Sequence, residues 1–159
     1  AAKVANLIDT KIIPFVNFQR MTASSVGPAW RSATPEQQKR LQEEFKTLLI
    51  RTYAGAVKEI KDQAVVVKPL RIAADDTTVI VRSEVRGKGD PIQLDYRVGK
   101  VTDASGTVWK IYDINVLSVW LVETYRGQFA QEVNASGIDG LIAKLVERNK
   151  QLAAKKAAG

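Results

Sequence analysis

The feature of this chain that most constrains its fold is the change in the spacing of its apolar residues along the sequence. Before residue 60 they recur every three or four positions, as in amphipathic helices, and from residue 64 to residue 116 they alternate with polar residues, as in half-buried strands. The helical spacing returns after residue 118. Helical and strand blocks that do not alternate predict an antiparallel sheet with helices on one side of it, which is an α+β fold.

The first block predicts helices with an interruption at Pro14, because proline removes a backbone donor and clashes with the preceding turn. Residues 22–33 are rich in serine, alanine, glycine and proline, and we expect a loop or short turns there. A long amphipathic helix should follow, since Thr34 can cap it and Gln37 stands where a capping box needs it. Its predicted end falls within residues 55–61.

The middle block predicts a meander of four antiparallel strands, over residues 64–73, 77–86, 92–98 and 107–116. Pro69 places the first of them at an edge or a bulge, because proline cannot donate to a ladder. Residues 87–91 contain two glycines but lack the third glycine and the following helix of a nucleotide-binding loop, so a hairpin turn is predicted there. Asp95 belongs to the polar face of the third strand and is expected to be solvated.

The last block predicts two helices within residues 118–152, separated at Ser136-Gly137, and a tail over residues 153–159. A chain of 159 residues has the usual size of one domain. We therefore expect a single domain over residues 1–159, whose parts are helices in 1–60, the sheet in 64–116, helices in 118–152 and the tail.

The composition excludes several kinds of site. The chain has no cysteine and no histidine, which rules out disulfides, thiol nucleophiles, Ser-His-Asp triads and histidine or cysteine metal ligands. It has 24 Lys and Arg against 17 Asp and Glu, a net charge of +7 that favours anionic partners. Because these charges are dispersed, they indicate a solubilising coat rather than a nucleic-acid footprint. We expect no metal, no cofactor and no nucleic acid.

The apolar pattern also predicts a pocket. A twisted sheet half-wrapped by helices can enclose a cavity on its concave face, and ligand pockets are mostly apolar with few polar groups. An ordinary filled core is the alternative interpretation, and either face of residues 107–116 could point inward. The residues predicted to line the pocket are Met21, Trp30, Phe45, Leu49, Tyr53, Val79, Val81, Tyr96, Val98, Trp109, Ile111, Tyr125 and Phe129.

Three groups of segments resemble the MlaC-type periplasmic phospholipid carriers, also called the toluene-tolerance auxiliary component family. Their order and spacing agree with those of the family's motifs. They cover roughly residues 8–150, and the family's usual Gly and Ser before its Tyr-Arg motif are replaced here by Ser118 and Trp120. The segments are IIPFVNFQRM at 12–21; Trp30, ATPEQ at 33–37 and Phe45, Leu48, Leu49, Arg51, Thr52 and Tyr53; and WKIYDI at 109–114, Leu121-Val122, YRGQF at 125–129 and GIDGLI at 137–142.

The resemblance implies a monomeric, soluble shuttle of the Gram-negative periplasm rather than an enzyme. Such carriers move phospholipid between an outer-membrane lipoprotein–porin complex and an inner-membrane ABC transporter with its lipid-binding domain, which maintains outer-membrane lipid asymmetry. Their fold is a cone-shaped α+β domain, with the acyl chains buried and the headgroup exposed. The chain does not begin with methionine, so we expect either a removed signal peptide or a fragment.

Two other classes of protein are kept as alternatives. An enzyme of the cone-shaped α+β type would need a buried carboxylate, and Asp113 with Tyr112 or Tyr96, or the pair of Asp95 and Asp113, are the available groups. A basic adaptor would have a filled core and would bind a protein or an anionic polymer through its surface. A carrier is expected to combine a dry cavity with the absence of catalytic groups.

Overall fold

The computed structural model describes residues 2–59 and 62–158. Residues 1, 60, 61 and 159, which the predicted boundaries include, lie outside that part. The elements in chain order are helix α1 (Ala2–Lys11), a 3₁₀ turn (Ile13–Phe15), α2 (Phe18–Val26), a second 3₁₀ helix (Gly27–Ser32), α3 (Pro35–Glu59), strands β1 (Ala64–Val67), β2 (Thr78–Arg86), β3 (Ile92–Asp103), β4 (Gly106–Val116) and β5 (Val119–Trp120), and helix α4 (Leu121–Ala157).

Two local signals in the first block are confirmed. The α-helix stops at Lys11, and Pro14 lies in the 3₁₀ turn that follows. The capping box at the start of α3 is complete: the Gln37 backbone N–H donates to Thr34 Oγ1 at 3.2 Å, and the Thr34 backbone N–H donates to Gln37 Oε1 at 2.9 Å. These bonds satisfy donors that a helix start leaves unpaired.

The prediction of a loop or short turns over residues 22–33 is wrong for residues 22–26. Residues up to Val26 continue α2, and the second 3₁₀ helix covers most of the remainder. The polar residues fit a helix because Thr22 Oγ1 donates to the Phe18 carbonyl at 2.8 Å and Ser25 Oγ to the Met21 carbonyl at 2.9 Å. Composition suggests a loop here, but these hydroxyls are buried with their hydrogen bonds made inside the helix.

The sheet has five strands rather than the predicted four, paired antiparallel in the order β1-β2-β3-β4-β5. The additional strand, β5, has only two residues, too few to show alternation in the sequence. It pairs with β4 across a turn in which Leu117 and Ser118 have φ angles of 52° and 66°. Strand β1 is an edge strand, as Pro69 predicts, but it ends at Val67 and does not extend through the proline to residue 73 as predicted.

The strand register defines which side of the sheet faces the helices. Val79 pairs with Val98, and Val98 with Ile111, while Val81 pairs with Tyr96. Directly opposed residues share one face of a sheet. Ile111 packs against the helical core, so these strand positions lie on the helix-facing side. A register shift between Arg97 and Val98 marks a bulge in this otherwise regular pairing.

The hydrophobic core is formed mainly between helices. Phe45 of α3 is fully buried at its centre, with ring centroids 5.1 Å from Tyr125, 5.2 Å from Phe129 and 5.8 Å from Phe18. Edge-to-face aromatic pairs at such distances add stabilisation beyond the buried area. The core therefore ties the two halves of the chain together through α3 and α4.

The C-terminal helices are joined into α4, which bends at Gly137, where φ is 72° and ψ is −172°. The predicted interruption at Ser136-Gly137 thus appears as a kink. The helix then continues to Ala157, through most of the segment expected to be a tail. Alanine and lysine favour helix, and Lys155 and Lys156 lie at the end where the helix dipole favours cations.

The expectation of a solvated Asp95 is also wrong, since this residue is only 4% exposed. Its Oδ2 accepts a 2.6 Å hydrogen bond from Gln93, and its partner across the sheet is Asn115. The same face carries Arg97, which stacks over the Trp120 ring at 4.1 Å. Large side chains therefore cover part of the face that alternation alone assigns to solvent.

Candidate functional site

The six strand positions predicted to line a pocket share one face of the sheet. The register opposes Val79, Val98 and Ile111 in one row and Val81 and Tyr96 in the next, and Trp109 pairs with Lys100, two positions along β3 from Val98. The open question about residues 107–116 is therefore answered geometrically, since Trp109 and Ile111 point to the helix-facing side with the valines.

This face is only partly covered by the helices. Val79, Val81, Tyr96 and Val98 are half-buried, although they are on the side toward the core. In the described part of the chain, the core cluster and the residues packed against it include β4 residues but none from β2 or β3. A strip of apolar surface on β2 and β3 is thus left beside the packed helices, and we call it the β2–β3 strip.

The predicted helix residues divide into two groups. Met21, Phe45, Tyr125 and Phe129 are buried within the core cluster. The other three, Trp30, Leu49 and Tyr53, are half-buried. The half-buried group can meet a ligand without displacing core packing, whereas the buried group could do so only if the helices moved.

Three residues of this face were not anticipated: Ser83, Leu94 and Ile114. Ser83 is fully buried, its hydroxyl donates to the Leu94 carbonyl at 2.5 Å, and it lies in phase with Val81 on β2. Period-two alternation was enough to find Ser83 and Leu94, because they lie two positions from Val81 and Tyr96. It could not find Ile114, which lies three positions from Ile111 and shares the face because the bulge shifts the register between them. Burial raises the pKa of the Tyr96 hydroxyl, and a hydrogen bond with Ser83 acts in the opposite direction. Because the net shift is upward, both hydroxyls stay neutral.

Asp113, the acid considered for an enzymatic role, has its oxygens occupied by structural partners. It is 1% exposed, and its Oδ1 accepts from the backbone N–H groups of Ile114 at 2.8 Å and Val122 at 3.1 Å. Its Oδ2 accepts from Arg97 at 3.3 Å. Burial raises the pKa of this carboxyl, with the backbone donors and Arg97 acting in the opposite direction.

Asp113 therefore caps α4 from a neighbouring strand. The residue at the N-cap position, Trp120, supplies no side-chain cap, and the Val122 N–H is one of the donors that a helix start leaves unpaired. The pairing of Asp95 with Asp113 that was considered as an alternative is not seen in the register, which opposes Asp95 to Asn115 and Asp113 to Arg97. Asp113 thus helps to hold the sheet and α4 together, whereas the Asp95 carboxylate bonds to Gln93 of its own strand.

Within residues 2–59 and 62–158, no helix combines the length and apolar character needed to cross a membrane. That same part of the chain contains no group of three or more acidic side chains arranged to hold a metal ion.

Comparisons with known proteins agree with the resemblance seen in the sequence. The chain is 32% identical over 109 residues to toluene tolerance protein ttg2D of Pseudomonas putida, an alignment covering 69% of this chain and 49% of that protein. It is 23% identical over 146 residues to the intermembrane phospholipid transport system binding protein MlaC of Haemophilus influenzae, covering 91% of this chain and 68% of that one. The chain thus spans only about half the length of the first of these relatives.

A solved structure is also similar. A phospholipid-binding protein from Ralstonia solanacearum, determined in complex with a phospholipid, superposes with a TM-score of 0.88 at 50% sequence identity. The match covers 96% of this chain and 83% of that one. The family model described as MlaC protein matches residues 1–147, which is most of the sequence. The chain belongs to the MlaC family.

Proposed function

We propose that this protein is a phospholipid carrier that holds acyl chains against the β2–β3 strip and leaves the headgroup in water. The observation that carries the proposal is the half-buried apolar strip beside a packed helical core. The similar Ralstonia protein, 50% identical, was solved with a bound phospholipid. An enclosed, cone-shaped cavity between the strip and the helices is part of the proposal.

The energetics favour an apolar lining of this kind. Each methylene removed from water contributes about 0.8 kcal/mol, so two long acyl chains gain tens of kcal/mol from a dry site. A polar group in the lining would cost free energy unless it were paired. Of the inward polar groups that we identified, Ser83 donates to the Leu94 carbonyl, and Tyr96 stays neutral because burial raises its pKa, so both add little to that cost.

Carriage is a better proposal than catalysis. The candidate acid, Asp113, is held by two backbone N–H groups and by Arg97, away from solvent. A general acid or base must reach a proton on the substrate. The geometry of Asp113 instead supports a structural role, and the relatives' names describe lipid transport and toluene tolerance.

Membership of the MlaC family supports a wider proposal about the protein's partners and its cellular location. We expect the protein to act as a monomer in the periplasm, after removal of a signal peptide. We expect it to exchange phospholipid with an inner-membrane ABC transporter complex, through its lipid-binding domain, and with an outer-membrane lipoprotein–porin complex. Through this exchange it would maintain outer-membrane lipid asymmetry, and phospholipid would be its cargo rather than a cofactor.

Native mass spectrometry of the protein purified from bacteria tests the central proposal. We expect a stoichiometric adduct with the mass of a diacyl phospholipid, released on denaturation and identified after organic extraction. If the protein is purified empty, incubation with phospholipid vesicles should produce the same adduct. No adduct after that incubation would contradict carriage and would favour the basic adaptor.

A further inference from the structure

An open cleft with a different chemical character lies between α2 and the 3₁₀ helix Gly27–Ser32, with a volume of about 420 Å³. Its wall includes the side chains of Arg20, Trp30 and Arg31 and the residue Ser24, and no carboxylate lines it. Two arginines beside an aromatic side chain give a donor-rich, positively charged surface with a flat apolar wall. We call this region the arginine cleft.

Arg20 is held in position without a carboxylate. Its guanidinium lies 3.7 Å from the centre of the Tyr112 ring, a distance at which cations and aromatic rings attract. It also lies over Gly99, where an added Cβ would come within 2.5 Å of Nη1. The Asn17 N–H donates to the Ile111 carbonyl at 2.8 Å, which fixes the start of α2 beside β4.

A third arginine, Arg126 of α4, lies next to the cleft without lining it. Its Nε–H donates at 3.0 Å to the carbonyl of Ser24, which is one of the residues of the cleft wall. In the described part of the chain, neither Arg20 nor Arg31 nor Arg126 lies within ion-pair distance of a carboxylate. Two cations from two elements therefore line a concave surface, and neither is paired with a carboxylate among the described residues.

We propose that the arginine cleft binds a phosphate group. Guanidinium groups form strong, charge-assisted hydrogen bonds with oxyanions. A planar carboxylate is satisfied by one guanidinium, whereas two guanidinium groups that arrive from α2 and from the 3₁₀ helix suit the tetrahedral oxygens of a phosphate. The inference is separate from acyl-chain binding, because none of these arginines belongs to the β2–β3 strip. The phosphate could be a lipid headgroup or free phosphate, and the test distinguishes them.

The test is a two-dimensional NMR titration of the ¹⁵N-labelled full chain at constant ionic strength. The probes are glycerophosphoglycerol, a headgroup diester without acyl chains, inorganic phosphate, and acetate as the carboxylate control. We expect saturable shifts at the Ser24 and Arg31 amides with at least one phosphate probe. A response to the diester alone assigns the headgroup, and an equal or stronger response to inorganic phosphate assigns the free ion.

Two variants separate a specific site from general positive charge. Arg20→Gln with Arg31→Gln should weaken phosphate binding at least about tenfold, a loss of about 1.4 kcal/mol. The matched control, Arg71→Gln with Lys88→Gln, removes the same charge from exposed positions elsewhere and should leave binding unchanged.

Gly99→Ala keeps every charge but displaces the Arg20 guanidinium, and it should also weaken binding. The spectra themselves report whether each variant is folded. Equal binding of acetate, unchanged affinity in the Arg20 and Arg31 variant, or no saturable shift with either phosphate probe would each overturn the proposal. None of those results would bear on whether the β2–β3 strip holds acyl chains.

Discussion

At the scale of single residues, Asp113 shows how a buried carboxylate can serve the fold. It links β4, the start of α4 and Arg97 through three hydrogen bonds, and Arg97 in turn contacts Glu123 at 3.5 Å. Burial opposes its ionisation and these donors favour it, with burial the larger effect on its pKa. The balance between these effects can be measured, because it fixes how stability depends on pH.

We predict that the unmodified protein gains stability relative to Asp113→Asn as the pH falls from neutrality toward 3.8, the ordinary pKa of an aspartate. When the pKa is higher in the folded state, the folded protein binds a proton that the unfolded chain does not bind at pH values between the two pKa values. Lowering the pH through this range therefore favours the folded state. Urea unfolding of both proteins across this range measures the difference. The opposite slope would mean that Arg97 and the backbone donors outweigh burial.

Asp103 provides a control of opposite sign. The Ser105 hydroxyl and N–H lower the pKa of this exposed turn residue. A lowered folded-state pKa gives stability that is present above the ordinary value and is lost as the pH falls through the folded pKa. The unmodified protein should therefore lose stability relative to Asp103→Asn in acid, while it gains relative to Asp113→Asn.

The β4–β5 turn is a second residue-scale feature with a measurable cost. Leu117 and Ser118 both have positive φ angles, and Leu117 is 68% exposed. Two-residue hairpin turns with two positive φ angles favour Asn-Gly, since side chains with a Cβ are strained there. We predict that Leu117→Asn with Ser118→Gly stabilises the protein by about 1 kcal/mol, measured by denaturant unfolding.

The control for that turn is Leu117→Ala, which removes the exposed side chain but keeps a Cβ at a positive φ. It should give little or no stabilisation. A gain as large as that of the Asn-Gly variant would show that the exposed leucine side chain, rather than the backbone conformation, carries the cost.

At the scale of elements, β2 offers a direct test of the β2–β3 strip, because its two faces differ. Val81 lies on the helix-facing side and Ile80 on the opposite one, where it is exposed. Val81→Phe should displace acyl methylenes, and the loss of two of them, about 1.6 kcal/mol, lowers affinity roughly tenfold. Ile80→Phe is the matched control and should leave bound lipid unchanged, as read by native mass spectrometry.

Leu49→Phe on α3 tests the helical side of the same proposed pocket. Leu49 is half-buried against the core, so an added ring can enter the proposed cavity without breaking the central packing around Phe45. Bound lipid should fall as it does for Val81→Phe. If Val81→Phe, Leu49→Phe and Ile80→Phe all retain lipid equally, the acyl chains lie elsewhere in the molecule.

At the scale of the whole molecule, net charge predicts how the protein meets membranes. A charge of +7 attracts anionic surfaces, and the attraction is screened over about 10 Å at 0.1 M salt and about 3 Å at 1 M. Association with anionic vesicles, measured by co-sedimentation, should weaken steeply as the salt concentration rises over that range. Association with zwitterionic vesicles should be weak throughout, and equal binding to both would mean that charge is not the driving force.

Much of the architecture follows from local signals in the sequence. The helix–sheet–helix order, the break at Pro14, the cap at Thr34 and the kink at Gly137 depend on neighbouring residues, and the structure confirms each of them. The burial of Thr22 and Ser25 on α2 and the burial of Asp95 depend instead on elements distant in the chain, because α2 packs against α3 and α4 and Asp95 lies opposite Asn115. Composition and periodicity do not contain that information.

The candidate site shows the same division. Alternation placed Val79, Val81, Tyr96 and Val98 together, and it could also have found Ser83. It could not show which aromatic residues are sealed in the core and which remain half-buried, because that depends on how α3 and α4 pack. That these residues bind lipid stays a prediction until occupancy is measured.

The connectivity has a consequence for how the chain assembles during synthesis. The strands pair in the order in which they are made, so the sheet can form progressively from short hairpins. The helical core cannot, because α2 and α3 pack against α4, and the Arg126 to Ser24 bond joins residues 102 positions apart. The apolar faces of α2 and α3 must wait for α4, which is made after the whole sheet. A nascent chain is therefore prone to aggregate until α4 closes it.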